Sequence, residues 1–286
     1  MENSKEISAL VKLLDDTDQE VFQHVEQRLL DYGPAAIAFL ETAWEQSLDG
    51  LLQERIENVV HRIQFNSVKE DLRLWQLGGA FDLLQGAMII NRHQYPDLDE
   101  QKLLNQIDEI RRDIWMGMQH EMSAIEKIKL INHVFYNQHG FTGNVKNHQD
   151  PQNSYISQVL ESKKGNQISL AIIYATVAQK LDVPVYGVNL PQHFILGYLD
   201  EAKLDQNYSV LFYINAFNKG AIFGKHDVDQ FLRQLNLEPQ PGYYAPCSNT
   251  EIIGRVIRNL ISAYSQQGSI EKVEELKELQ DVLVTP

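Results

Sequence analysis

The stretch that most limits what this chain can fold into lies at residues 168–181, which are almost wholly apolar. The run is too long for an ordinary strand, and a helix that is apolar on every side must be buried. Three β-rich runs follow it, at 183–190, 193–199 and 209–216, with a connecting turn at 200–207. A buried helix followed by antiparallel runs implies an α+β fold in which that helix packs on a small sheet.

The remainder reads as amphipathic helix, so the fold is expected to be mainly helical. Thr17 with Glu20, Ser67 with Glu70, Ser123 with Glu126 and Ser248 with Glu251 have the spacing of capping boxes. In such a box a hydroxyl and a carboxylate satisfy free N–H groups at a helix start. Val21, Val25 and Leu29 mark one helix face, Ile37, Leu40 and Trp44 continue the stripe, and Asp49 can cap a third helix carrying Ile56, Val59 and Ile63. Residues 1–66 therefore resemble helical hairpins of the HEAT type. Residues 67–247 form a central unit. Residues 248–286 read as a tetratricopeptide-like hairpin whose helices are separated by Gly268. Trp75 and Trp115 fall on helical stripes and are expected in the core.

Charge narrows the function. Lys and Arg number 25 against 39 Asp and Glu, a net of −14. That balance argues against a nucleic-acid partner, because backbone phosphates need clustered cations. The charge is uneven: residues 1–64 hold 13 acidic and 5 basic side chains, whereas residues 140–220 balance at 6 and 6. No apolar run approaches the ~18 residues of a membrane span. The MENSKEIS start lacks the basic and apolar regions of a secretory signal. The single cysteine, Cys247, permits no intrachain disulfide and fits a reducing cytoplasm, where the chain is expected to reside. His133, His139 and His148 come with neither an HExxH motif nor paired cysteines, so no metal site is expected. With no phosphate-binding loop, no cofactor is expected either.

The constellation that could carry chemistry is a helix start at Gly165-Asn166-Gln167-Ile168-Ser169, then His193 on one strand and Asn215 on a later one. This order suits cysteine-protease-like and transglutaminase-like sites. A nucleophile at a helix N-terminus gains a lowered pKa, a histidine takes its proton, and a third polar group orients the histidine.

Several segments carry a family resemblance: Asp82-Leu83-Leu84-Gln85-Gly86-Ala87, Tyr95-Pro96-Asp97-Leu98-Asp99, Asn153-Ser154-Tyr155, Ile168-Ser169-Leu170-Ala171, Pro191-Gln192-His193-Phe194 and Ala216-Phe217-Asn218 with Gly220. Together they resemble the SirB-type branch of the transglutaminase-like superfamily over about residues 67–265. The resemblance implies a transglutaminase- or papain-like core. Active members of the superfamily use Cys, His and Asp. His193 matches the histidine, Asn215 falls where an Asp is expected, and the nucleophile position falls on Gln167. The nearest hydroxyl is Ser169.

Glutamine is not a nucleophile, and a serine hydroxyl needs strong activation. A degenerate site is therefore expected, in a protein- or peptide-binding module. The rival is an acyl-transfer hydrolase, a peptidase or amidase, using Ser169 with His193. A third reading is a purely structural domain whose cleft is filled. Geometry separates them, since the hydrolase needs Ser169 Oγ within ~3 Å of a His193 nitrogen.

Overall fold

The structure is a computed structural model and describes residues 2–200 and 210–284. The chain divides into two compact units, residues 1–74 and 75–286.

The first unit contains α1 (Glu2–Leu13), α2 (Gln19–Tyr32), α3 (Ile37–Gln46) and most of α4 (Gly50–Leu77). Its apolar stripes meet in a core that includes Ile7, Val11, Val25, Leu29, Leu40, Ile56, Val59 and Ile63. Arg55 closes the end of α1 by donating to the carbonyls of Leu14 (2.7 Å) and Asp16 (2.8 Å). Two sequence expectations change here. The cap of α2 is Asp18, not Thr17: its carboxylate accepts from the N–H groups of Glu20 and Val21. No helix begins at Ser67 either. α4 passes through it unbroken, because the buried series Ile63, Val68, Leu72 continues on one face and outweighs a local cap signal.

The second unit starts with α5 (Leu83–Gln94), α6 (Glu100–Gly117) and α7 (Ala124–Asn132), capped by Asp82, Asp99 and Ser123. A π-helical turn, His133–Gln138, ends this run. Then come β1 (Thr142–Gly143), a 3-10 turn (Pro151–Ser154), α8 (Ile156–Ser162), β2 (Lys164–Gly165) and α9 (Gln167–Gln179). The sheet strands are β3 (Val185–Leu190), β4 (His193–Leu199), β5 (Val210–Asn215) and β6 (Ala221–Phe223), all antiparallel and in that order. They are followed by α10 (Lys225–Gln234), α11 (Asn249–Gln267) and α12 (Ile270–Val284).

The α+β expectation holds. Residues 168–178 of α9 are all buried, and α9 packs on β3 and β4 with α5, α6, α8 and α11 around it. On the sheet, Val188, Ile195 and Tyr213 join Val228 and Leu232 of α10 in a second cluster. The central strand β4 is thus buried on both faces after His193. Neither β6 nor α10 was expected from the sequence. The turn expected at 200–207 lies, beyond Asp200, outside the described residues, as does Ser209. Trp115 is 63% exposed and so is not a core residue. It sits in the last turn of α6, where the helix has run past its buried series Leu103, Ile107, Ile110, Ile114. No helix among the described residues is long and apolar enough to cross a membrane.

Candidate functional site

The start of α9 is held by an amide network. Asn166, the N-cap, accepts the N–H groups of Ile168 and Ser169 on Oδ1 and donates to Ser154 Oγ (2.8 Å). Ser169 Oγ donates to the Asn153 carbonyl at 2.6 Å and accepts the Asn166 N–H at 3.1 Å. Asn153 in turn accepts from Asn144 (2.8 Å). Asn153, Ser154 and Ser169 are buried polar residues, and their mutual bonding makes that burial tolerable. The result is a rigid platform under Gln167, the first residue of the helix.

His193 opens β4 after a tight turn in which Gln192 takes φ 58°, a left-handed conformation uncommon outside glycine. Asn215 closes β5. Ile195 and Tyr213 lie in one cluster, and alternation along each strand puts His193 and Asn215 on that same face. Gln167 Nε2 stands 2.9 Å from His193 Nδ1, and Asn215 Nδ2 stands 3.4 Å from His193 Nε2. The ring of Phe231, from α10, lies 5.6 Å away.

Backbone donors fix which end of each amide meets the imidazole. Gln167 Oε1 accepts the Phe194 N–H (3.3 Å). Asn215 Oδ1 accepts the N–H groups of Phe217 (3.1 Å) and Asn218 (3.0 Å). Both NH2 groups are therefore turned to the histidine. A neutral imidazole can accept at one nitrogen only, and an imidazolium at neither. The shorter contact makes Nδ1 the acceptor, leaving the proton on Nε2 against the Asn215 NH2. The Asn215 oxygen that could have taken that proton is engaged elsewhere. Burial, and after it the charge of Arg255, hold His193 below the usual histidine value.

A cleft of about 260 Å³ adjoins this group. Asn166, Gln167 and Ile168 line it from α9, Phe194 from β4, and Arg255, Asn259 and Gln266 from α11. Arg255 donates through Nη1 to the Leu190 carbonyl (2.8 Å), bonds Asn189 Oδ1 as well, and lies over the Phe194 ring at 5.7 Å. Sequence reasoning missed Arg255 and Phe231. They come from helices α10 and α11, far along the chain, and no local motif marks them.

A sequence profile of the transglutaminase-like superfamily matches residues 101–258, which takes in α9, His193, Asn215 and Arg255. The chain belongs to the transglutaminase-like superfamily. It is 30% identical over 209 residues to a UPF0162 protein of Xylella fastidiosa strain 9a5c, covering 68% of this chain and 70% of that one. A UPF0162 protein of Vibrio cholerae is 26% identical over 189 residues, 64% of this chain and 67% of the relative. The F-box only protein 21 of Mus musculus is 29% identical over 170 residues, 57% of this chain but only 27% of that longer protein. No solved structure matches the chain.

In this transglutaminase-like fold the helix-start position beside the histidine holds an amide. Ser169 Oγ makes no hydrogen bond to His193. Its hydroxyl is fully buried, and its hydrogen bonds go to Asn153 and Asn166. That is a correction to Ser169 as nucleophile: two residues into the helix, its hydroxyl turns back to cap the helix start. Cys247 lies against a different part of the sheet, donating Sγ–H to the Gly187 carbonyl at 3.3 Å. Burial, and then nearby Glu251, push its thiol up to about 12. His139 bonds Asp113 (2.8 Å) and His133 bonds Asn137 (3.2 Å). Among the described residues no cluster of His, Cys, Asp or Glu could hold a metal ion.

Proposed function

We propose that this chain is a transglutaminase-like protein whose cleft binds a short protein or peptide segment without processing it. The observation that carries this reading is His193 held between the NH2 groups of Gln167 and Asn215. A general base must accept a proton and keep it through the transition state. Here protonation would set a ring N–H against an amide N–H on each side, with no carboxylate to stabilise the charge.

The cleft walls suit a peptide instead. Asn166, Gln167, Asn259 and Gln266 offer paired donors and acceptors that complement backbone amides, and Phe194 and Phe217 offer apolar contact. At about 260 Å³ the space fits one or two residues of a chain. Sites for drug-sized molecules start at roughly 300 Å³. The SirB-type resemblance belongs to this reading. So do the HEAT-like helices of residues 1–66 and the tetratricopeptide-like hairpin, α11 with α12, which would add surface for a protein partner in the cytoplasm.

The test has two arms. Glutamine–amine crosslinking and peptide cleavage are assayed with and without a thiol alkylator, and no turnover above background is expected. Turnover abolished by alkylating Cys247 overturns the reading. Peptide capture is then compared between the wild type and His193→Ala, with weaker capture expected in the variant.

A further inference from the structure

We infer that the cleft beside Gln167 receives a carboxylate of its peptide ligand on the guanidinium of Arg255. This deepens the peptide-binding reading and rests on it for the word peptide. The cation and its pocket stand on their own geometry.

Arg255 is half-buried, and among the described residues no carboxylate pairs with it. A buried charge without a counter-charge is costly, and a protein keeps one where a ligand supplies the partner. The side chain is already oriented. Nη1 is held by Leu190 O and Asn189 Oδ1, and the planar group rests over Phe194. Nε and Nη2 meet no acceptor among the described residues, although Arg255 lines the cleft. An arginine fixed at one nitrogen with its other edge open matches a carboxylate, whose two oxygens take two parallel N–H bonds.

The surroundings favour the same charge. The first turn of α9 lines the cleft, and a helix N-terminus carries partial positive charge. Ile168 and Ser169 give their N–H groups to Asn166, and Leu170 bonds the Asn166 carbonyl. The Gln167 N–H has no acceptor among the described residues. One acid stands in the lining, Asp150, and its Oδ1 already accepts the Gln152 N–H at 3.0 Å. His148 is the remaining titratable group of the lining. Arg255 is the one fixed cation of the lining and Asp150 its one acid, a balance that suits the single charge of a carboxylate better than a doubly charged phosphate.

The proximity of Arg255 to His193 supplies a readout. Arg255 helps to hold the imidazole down, so a carboxylate bound to the guanidinium must raise it. The full chain is titrated by NMR with N-acetylglutamic acid amide, N-acetylalanine, N-acetylglutamine amide and inorganic phosphate. The first probe carries a side-chain carboxylate, the second a terminal one, and the stronger of the two names the source. Saturable binding of at least one carboxylate is expected, with an upward move of the His193 midpoint and a change at Arg255 Nε–H. Arg255→Gln is expected to weaken binding at least about tenfold, and Arg255→Lys to restore it only in part, because a lysine lacks the fork. Asn259→Asp keeps the arginine and places a competing carboxylate on the same helix, and it too is expected to weaken binding at least about tenfold.

Equal binding of the glutamine probe, equal binding by Arg255→Gln, or preference for phosphate overturns the inference. A peptide array with free-acid and amidated members separates the two failures. Capture that ignores both the acid and Arg255 overturns the carboxylate site and leaves peptide binding standing. Saturation by a small carboxylate with no captured peptide removes the peptide reading and leaves the Arg255 site.

Discussion

Gln167 Nε2 lies 2.9 Å from His193 Nδ1, so an amide donor faces that ring nitrogen. The contact is one of a pair. Asn215 closes the other side of the ring with its own NH2, because its oxygen serves the turn that follows β5. The histidine is thereby held neutral by geometry as well as by burial.

On the proposed non-catalytic reading, building a working nucleophile site takes two changes. Gln167→Cys alone puts a thiol beside His193 but leaves Asn215 opposing the imidazolium. Adding Asn215→Asp supplies an acceptor that stabilises a thiolate–imidazolium pair. Iodoacetamide is expected to modify Cys at 167 at least about tenfold faster near neutral pH in the double variant than in the single one. Equal rates in the two variants contradict the assignment of the Asn215 NH2 to the ring.

His193 also couples stability to pH. Its folded value lies below the unfolded one of about 6.5, so the unfolded chain takes the proton first. The stability due to the neutral ring is complete above about pH 6.5 and is lost as pH falls from there through the folded value. Urea unfolding of the wild type and His193→Gln between about pH 7.5 and 5 is expected to show the wild type losing ground to the variant at the acid end. A gap that stays constant over that range removes the coupling.

Cys247 is expected to resist alkylation in the native protein. With its thiol pushed up to about 12 by burial, the thiolate fraction near pH 8 falls by two orders of magnitude or more relative to an ordinary cysteine. Rapid native-state labelling, at a rate close to that of the urea-unfolded chain, contradicts that environment.

Gly220 holds the turn that orients Asn215. It has φ 68°, its N–H donates to the Asn215 carbonyl at 2.9 Å, and a Cβ there would come within 1.9 Å of Asn132 Oδ1. Asn132 cannot easily withdraw, since it also accepts from Tyr174 (2.9 Å) and donates to the Gly220 carbonyl (2.8 Å). Gly220→Ala combines backbone strain with overpacking and is expected to cost about 2–4 kcal/mol in urea unfolding. A loss under about 0.5 kcal/mol contradicts the account.

Much of this was legible from local pattern. The run at 168–181 announced α9 because an all-apolar helix has only one place to go, the interior. Ser123 and Ser248 marked helix starts, since a cap depends on a few adjacent residues. Ser67 misled for the complementary reason: a cap signal is weak beside a buried face that continues through it. Trp115 misled because a stripe shows which side of a helix is apolar, not where along its length the cover ends.

The α+β class, the buried helix and the order Gln167, His193, Asn215 all follow from residue periodicity or chain order. Tertiary structure alone decided what that order can do. Only the folded backbone brings the Phe194, Phe217 and Asn218 N–H groups onto the amide oxygens and turns both NH2 groups to the imidazole. Only the return of α11 past the sheet brings Arg255 to the cleft. Hydrogen-bond polarity and unpaired charge are properties of groups that meet in space, and these groups come from segments widely separated along the chain.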